Sequence, residues 1–432
     1  MPLLYPLEWS IAKSVFIMKN KKEYIGVLSI LLICLVSVLS SCSRVSKPNE
    51  KYYVAAYVWP SCHDESLSRD VFWDEGEGEW EVIKKGDSRF DGHYQPKRPL
   101  WGYRSDSDPK AVEKKIEAAV DHGINVFIYD WYWYDGQPYL EDAINKGFLG
   151  ARNNDKMSFY IMWANHDVYS NFWNPHRYKT DSLVWTGVVD QPNYEVIVKR
   201  VINQYFKRPN YFKINGEPVF SIFDFPNLVK SFNGLDGAKN ALDYFRKETV
   251  KAGFPGIHFQ LIGWGDWDTL SPRLCDEQYM ENLTINEVIS KLGISSVTAY
   301  NWGGARPQED YVAWGAQAMQ VQNNWDKTLD VPYFPNVSIG WDDTPRKPYL
   351  GKKDVTHYNA TPQSFGAYLQ MAREYVQKHP TQPKLIVINA WNEWVEGSYL
   401  EPDMRWGYGY LESVKNIMSG KYDKYTYPGD EN

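Results

Sequence analysis

From residue 52 onward, apolar runs suited to strands alternate with stretches suited to helices, and they do so eight times. The runs occupy 52–59, 126–133, 159–165, 218–225, 258–264, 296–302, 334–341 and 385–391. Helical patterns fall at 109–122, 139–149, 194–206, 237–252, 285–292, 308–325 and 362–379, and a last one at 409–418 closes the series. Runs this apolar are buried on both faces, as in a parallel sheet covered by helices. Eight such units predict a single α/β domain, a closed (β/α)8 TIM barrel. An open doubly wound sheet is the alternative. It ordinarily carries a Gly-rich phosphate turn after its first strand, whereas this chain reads Pro60-Ser61-Cys62-His63 there. Asp108 and Thr361 precede Pro109 and Pro362 as N-cap candidates, and Gly123, Gly253 and Gly293 sit where helices should stop. The segment from Cys62 to Asp108 is too long for an ordinary barrel loop. It is expected to fold over the mouth as an insertion after the first strand.

The first 42 residues read as a bacterial lipoprotein signal. Lys19, Lys21 and Lys22 precede an apolar stretch, 26–39, that is shorter than the ~20 residues of a membrane helix. It ends in Leu39-Ser40-Ser41-Cys42, which resembles a lipobox with Cys42 as the lipidated residue. An uncleaved anchor or a plain secretory signal is the alternative, and Met18 is a candidate start. Residues 43–51 then form a flexible tether, and 52–432 the catalytic domain. The expected location is a bacterial membrane, the outer one by preference, facing the periplasm or the outside. Cys62 and Cys275 follow the first and fifth strands on opposite sides of the barrel, so two free buried thiols and no metal site are expected.

Composition narrows the partners. The 432-residue chain carries a net charge of −7, which argues against nucleic acid. Its 19 Trp and 32 Tyr exceed what a core needs, and a polysaccharide or oligosaccharide is the ligand class that flat aromatics serve. In a barrel the active site lies at the carboxyl ends of the strands. Those ends carry Asp130, Trp131 and Tyr132; Trp163, Asn165 and His166; Asp224; Trp264; Asn301 and Trp302; and Trp341 and Asp342. The eighth run enters Trp391-Asn392-Glu393-Trp394-Val395-Glu396-Gly397. All the aromatic and polar residues among these are substrate-binding candidates, the alternative being that the aromatics only cap the core. If the chain turns after Asn392, Glu393 and Glu396 come to one side, within about 5–6 Å at Cβ, and Gly397 permits the sharp conformation. Two close carboxyls split their pKa values, so one serves as acid and the other as base. Retaining glycosidases hold two such groups about 5–5.5 Å apart. The alternative is that one glutamate pairs with a rim Arg or Lys.

With these residues in place, the chain resembles the WbsX-like proteins, related to glycoside hydrolase family 99. The likeness runs from the Tyr52-Tyr53 strand through Gly92-His93-Tyr94-Gln95-Pro96 and Pro99-Leu100-Trp101-Gly102-Tyr103. It continues through Gly123-Ile124-Asn125-Val126-Phe127, Trp163-Ala164-Asn165 and Gly340-Trp341-Asp342-Asp343-Thr344-Pro345-Arg346, and ends in Asn389–Gly397 and Leu400-Glu401-Pro402-Asp403. The resemblance implies a (β/α)8 barrel and a retaining glycosidase that needs no metal or other cofactor. It implies that Glu393 deprotonates a sugar 2-hydroxyl, which attacks the anomeric carbon. It implies that Glu396 protonates the leaving oxygen and then activates the water that opens the 1,2-anhydro sugar. Two positions depart from the family: His166-Asp167 follow Asn165 where relatives read Glu-Asn-Trp, and Asp130 stands where aromatics are common. The expected function is an exported, lipid-anchored glycoside hydrolase, acting as a monomer on α-linked, possibly mannose-containing, glycans. A glycan-binding lipoprotein without turnover and a WbsX-type glycosyltransferase are the other readings.

Overall fold

Nine consecutive buried residues, Val126–Tyr134, form the second strand of the sheet, and they show why the sheet is closed in on both sides. A computed structural model of the chain describes residues 51–263, 283–302 and 305–420. The expected signal, tether and lipidation site at Cys42 lie outside the described residues, as do Trp264 and Cys275. Cys62 is free and buried.

The barrel strands are β1 (Tyr53–Val58), β2 (Val126–Tyr134), β3 (Ser158–Trp163), β4 (Glu217–Ile222), β5 (His258–Ile262), β6 (Ser296–Thr298), β7 (Tyr333–Phe334 and Asn336–Ser338) and β8 (Leu385–Asn389). Every neighbouring pair is parallel. Closure depends on β7. Its first half pairs with β6, Val297 opposite Tyr333, and its second half pairs with β8, Asn336 opposite Val387. Pro335 sits between the halves. It has no N–H to give to either ladder, but its carbonyl accepts from Val387 N at 2.9 Å. The strand thus changes partner at the residue least able to bond both sides.

Helices α1 (Pro109–Asp121), α2 (Gln191–Val201), α3 (Leu235–Lys251), α4 (Ile285–Leu292), α5 (Tyr311–Thr328), α6 (Pro362–Lys378) and α7 (Gly409–Ser419) form the outer layer. Asp108 caps α1 through Lys110 N, and Thr361 caps α6 through Ser364 N. Gly293 ends α4 in the left-handed conformation.

One expectation holds in part between β2 and β3. Of the helix foreseen at 139–149, a π-helical turn, Ala143–Phe148, forms, but Gln137–Tyr139 is a short strand folded back on Tyr132–Tyr134. The reason is Asp135-Gly136, both at positive φ, a two-residue loop of the kind that closes hairpins. Several strands also end earlier than the apolar runs do: β3 stops at Trp163, β4 at Ile222 and β6 at Thr298.

The long segment between β1 and α1 runs along the carboxyl-terminal mouth. It holds two short helices, Ser66–Val71 and Trp80–Ile83, and Trp80 packs against Trp394, centroids 5.9 Å apart.

Candidate active site

Beyond β8 the chain forms a two-residue strand, Asn392–Glu393, paired antiparallel with Ser398–Tyr399. A single 3-10 turn, Trp394–Glu396, joins them and closes on Gly397 at φ +70°. Residues three apart eclipse in such a turn. Glu393 and Glu396 therefore project to one side, and both line the same cavity. Gly397 is needed twice over. Its φ is one that side chains resist, and a Cβ there would come within 3.0 Å of the Asp342 Cβ.

The cavity holds about 380 Å³ and lies at the mouth of the barrel. Trp59, Tyr132, Phe223 and Trp173 form apolar walls; Asp130, Tyr300, Asn301, His166 and Arg346 supply polar groups; Tyr169, Phe172 and Trp341 complete the lining. Tyr169 and Phe172 are exposed aromatics, available to stack on a ligand.

Both glutamates are buried. Burial, then the neighbouring Asp130 carboxyl, pushes Glu393 up to about 7, against the pull of Tyr300 and Arg346. Burial and the charge of Glu393 push Glu396 well above the carboxylate range, against the pull of Arg346. Arg346 does not simply neutralise Glu396. Its Nε donates to Glu79 Oε1 at 2.7 Å, while its Nη1 lies 3.4 Å from Glu396 Oε1. Glu79, reaching in from the long β1–α1 segment, also accepts from Ser61 at 2.9 Å and from the Trp59 indole at 2.5 Å. Glu396 thus sees a cation that another carboxylate already engages. On the other side, the Tyr300 hydroxyl lies 2.5 Å from Glu393 Oε2 and 3.0 Å from Asp130 Oδ2, and Asn389 Nδ2 lies 3.3 Å from the same Glu393 oxygen.

The structure brings together Asp130, Tyr132, His166, Asn301, Trp341, Glu393 and Glu396 from the residues foreseen. Trp264 lies outside the described residues, and the other foreseen residues do not line the cavity. Trp131 is buried on the opposite face of β2 from Asp130 and Tyr132, because neighbouring residues of a strand alternate; its indole donates to Glu141 at 2.9 Å. Trp163 likewise faces the helices, against Tyr194 and Phe220. Trp302 packs on Trp314 and Tyr368 in the outer layer. Trp391 and Trp394 both donate their indole N–H to Glu401, at 3.0 and 2.8 Å.

The foreseen polar residues that miss the cavity are ties between strand ends. Asn392 accepts from Trp59 N at 2.9 Å and donates to Trp59 O at 2.8 Å, which joins the ends of β8 and β1. Asn165 donates to Asp224 O and accepts from Asp224 N, at 2.7 and 2.8 Å, while the Asp224 carboxylate caps Asn227. Asp342 accepts from Lys97 Nζ at 2.5 Å, Gln95 Nε2 at 2.7 Å and Thr344 Oγ1 at 2.6 Å, with His93 Nε2 at 3.1 Å. Burial opposes its charge, but Lys97 and His93 prevail and hold it well below the usual carboxylate range. It anchors the 92–97 turn, and its backbone N–H donates to Glu396 O at 2.7 Å.

Residues missed from the sequence include Trp59, Tyr169, Phe172, Trp173, Phe223, Tyr300, Arg346 and Glu79. Strand parity was the available signal for Trp59 and Tyr300: they continue the inward series of Tyr57 and of Ser296 and Thr298. Nothing local marks Glu79 or Trp173, which arrive on loops. Among the described residues no cluster of His, Cys, Asp and Glu is arranged to hold a metal ion.

The described residues thus form a closed parallel barrel with two buried glutamates on one turn after its last strand, beside aromatic walls. The chain belongs to the family described as glycosyltransferase WbsX, whose model matches residues 54–414. The uncharacterized protein WxcX of Xanthomonas campestris pv. campestris is 22% identical over 379 residues, 86% of this chain and 50% of that protein. The chain thus spans about half the length of the curated relatives it matches. Among solved structures, the GH99 endo-α-mannosidase from Bacteroides thetaiotaomicron aligns with a TM-score of 0.53 at 14% identity, covering 86% of this chain and 98% of that one. A structure described as a glycoside hydrolase-like protein aligns with a TM-score of 0.54 at 15% identity, covering 87% and 98%. These likenesses establish the barrel.

Proposed function

We propose that the protein is a retaining glycoside hydrolase, with Glu393 as base and Glu396 as acid/base. The observation that carries this reading is the pair itself. Two buried carboxyls share one turn, and burial raises both; Glu393 accepts from Tyr300 at 2.5 Å and from Asn389 at 3.3 Å, which favours its charged form, whereas Glu396 has only a 3.4 Å contact with Arg346. In the neutral range the arrangement therefore offers a proton on Glu396 and an acceptor in Glu393, the division of labour that acid–base cleavage needs.

In the first step Glu393 takes the proton of a sugar 2-hydroxyl, and that oxygen forms a bond to the anomeric carbon. The glycosidic bond breaks as Glu396 gives its proton to the leaving oxygen. In the second step water attacks the anomeric carbon, Glu396 takes the water's proton, the epoxide bond to O2 breaks and Glu393 returns its proton there. Neither step calls for a metal or other cofactor. The likeness of the barrel to a GH99 endo-α-mannosidase makes α-linked, mannose-containing glycans the first substrates to test. Product analysis across a panel of such glycans checks the reading: cleavage by the wild type, lost in Glu393→Gln and Glu396→Gln, is expected. Turnover that depends on a nucleotide sugar would sink it and favour the transferase that the family description names.

We also propose export and lipid attachment at Cys42, on the strength of the Lys-rich, apolar, Leu39-Ser40-Ser41-Cys42 sequence. Fatty-acid labelling that persists in Cys42→Ala would refute it. The protein is expected to act as a monomer, which sedimentation checks.

A further inference from the structure

Asp130 lies within the cavity, 2% exposed. Its Oδ2 is 3.0 Å from the Tyr300 hydroxyl, and its Oδ1 has no hydrogen-bond partner among the described residues. The titratable groups facing it are Tyr57 from β1, Tyr132 from β2 itself, Tyr300 beyond β6, and Glu393 and Glu396 beyond β8. β3 and the chain after β4 present Met162 and Phe223 to the same cavity. Its cation, Arg346, bonds Glu79 and Glu396 instead.

A count of protons decides what this geometry means. Tyr300 has one hydroxyl proton and two carboxyl oxygens within hydrogen-bond distance. It can donate to only one of them. The shorter contact, 2.5 Å, goes to Glu393 Oε2, which also receives Asn389 Nδ2; two donors on one oxygen mark Glu393 as the acceptor. The 3.0 Å contact is then a hydrogen bond only if the proton sits on Asp130. Were Asp130 ionised, oxygen lone pairs would face each other in a buried site, and an anion would stand there with no cation bonded to it among the described residues, which is strongly unfavourable.

We propose that Asp130 is a neutral carboxylic acid in the resting site, donating to Tyr300, which in turn donates to Glu393. Asp130 is thereby a positioning residue that favours the carboxylate form of Glu393 through Tyr300, whereas a charged Asp130 would raise Glu393 toward its protonated form. Burial of Asp130 acts in the same direction, raising its carboxyl well above the usual range. Chained hydrogen bonds polarise one another, so the acid strengthens the Tyr300 bond to the base. The arrangement adds a third carboxyl to the glycosidase reading, on which its catalytic meaning rests.

The test needs no substrate. Infrared difference spectra of the full chain at neutral pH compare wild type with Asp130→Asn. Loss of one protonated-carboxyl C=O band is expected; loss of a carboxylate band instead would overturn the proposal. If Asp130→Asn does not fold, Tyr300→Phe replaces it. The protonated band should then persist and move to higher frequency as its acceptor disappears, and an unmoved band would overturn the proposal. In a pH profile of cleavage, Asp130→Asn supplies a neutral donor and leaves the acid limb in place, whereas Asp130→Leu moves it to higher pH. A limb that moves to lower pH in Asp130→Asn reveals a lost negative charge and refutes the proposal. Absence of cleavage by the wild type would sink the glycosidase reading alone, since the infrared result is independent of turnover.

Discussion

Glu393 and Glu396 differ by surroundings and not by residue type. Glu393 has Tyr300 and Asn389 as donors, while Glu396 has a share of an arginine already engaged by Glu79. Replacing either glutamate with Gln keeps the shape and removes the proton chemistry. A loss of about 10²–10⁴-fold in kcat is expected for each, with glycan binding retained in calorimetry. With Glu393 pushed up to about 7 and Glu396 raised well above the carboxylate range, kcat/KM should rise as pH passes through about 7 and Glu393 loses its proton. It should fall at higher pH as Glu396 ionises. An optimum below pH 5 would contradict this assignment. Trp341 lines the cavity, and Trp341→Ala should raise KM with little change in kcat. The effect expected for a lost aromatic contact is about 0.5–1.5 kcal/mol, or roughly two- to tenfold.

The turn that carries the pair is held from behind. Lys115 of α1 reaches Asp106 Oδ1 and Glu401 Oε1, each at 2.6 Å, and Glu401 receives both indole N–H groups that flank the pair. This buried cluster is a brace for the turn. Losing Glu401 leaves Lys115 paired with Asp106 but takes the acceptor from both indole N–H groups, and each buried donor left unsatisfied costs about 1–3 kcal/mol. Glu401→Leu should therefore lower the urea midpoint strongly, and a shift under about 1 kcal/mol would show that the brace is dispensable. Gly397→Ala acts on the same turn by another route. It forces a side chain into left-handed backbone, about 1–2 kcal/mol, and pushes on Asp342, whose N–H holds the Glu396 carbonyl. Activity should fall further than stability, since the displaced residue is the proposed acid.

Across the whole molecule the buried carboxyls make stability depend on pH. Glu393, Glu396 and Asp130 all have raised folded-state pKa values. Folding therefore favours their protonated forms, and stability falls as pH rises from the unfolded-state values near 4–4.5 toward the folded ones. For Glu393 alone, a rise from 4.5 to about 7 corresponds to roughly 3 kcal/mol. Asp342 works the other way: its lowered value gives stability at neutral pH that is lost in acid. Thermal midpoints should peak in mildly acidic solution and decline toward pH 8, and the decline should be smaller in Glu393→Gln. The eight-unit barrel was legible in the sequence because a strand buried on both faces must be apolar at nearly every position, and β2 and β8 are, but for Asp130 and Asn389. The turn after Asn392 was legible too, because Gly397 marks it. Facing was not. Trp131 and Asp130 are neighbours in sequence, yet one meets the helices and the other the cavity, a choice set by strand phase. Nor does the sequence distinguish a carboxylate used for chemistry from one used as a tie: Glu393 and Asp342 end adjacent strands, and only the approach of Lys97, Gln95 and His93 assigns Asp342 to structure. Sequence fixes which residues are available and the periodicity they follow. The tertiary fold decides which of them share a space, because charge, burial and proton sharing depend on distance through space, and the chain brings Glu79, Arg346 and Tyr300 to the pair from segments far apart.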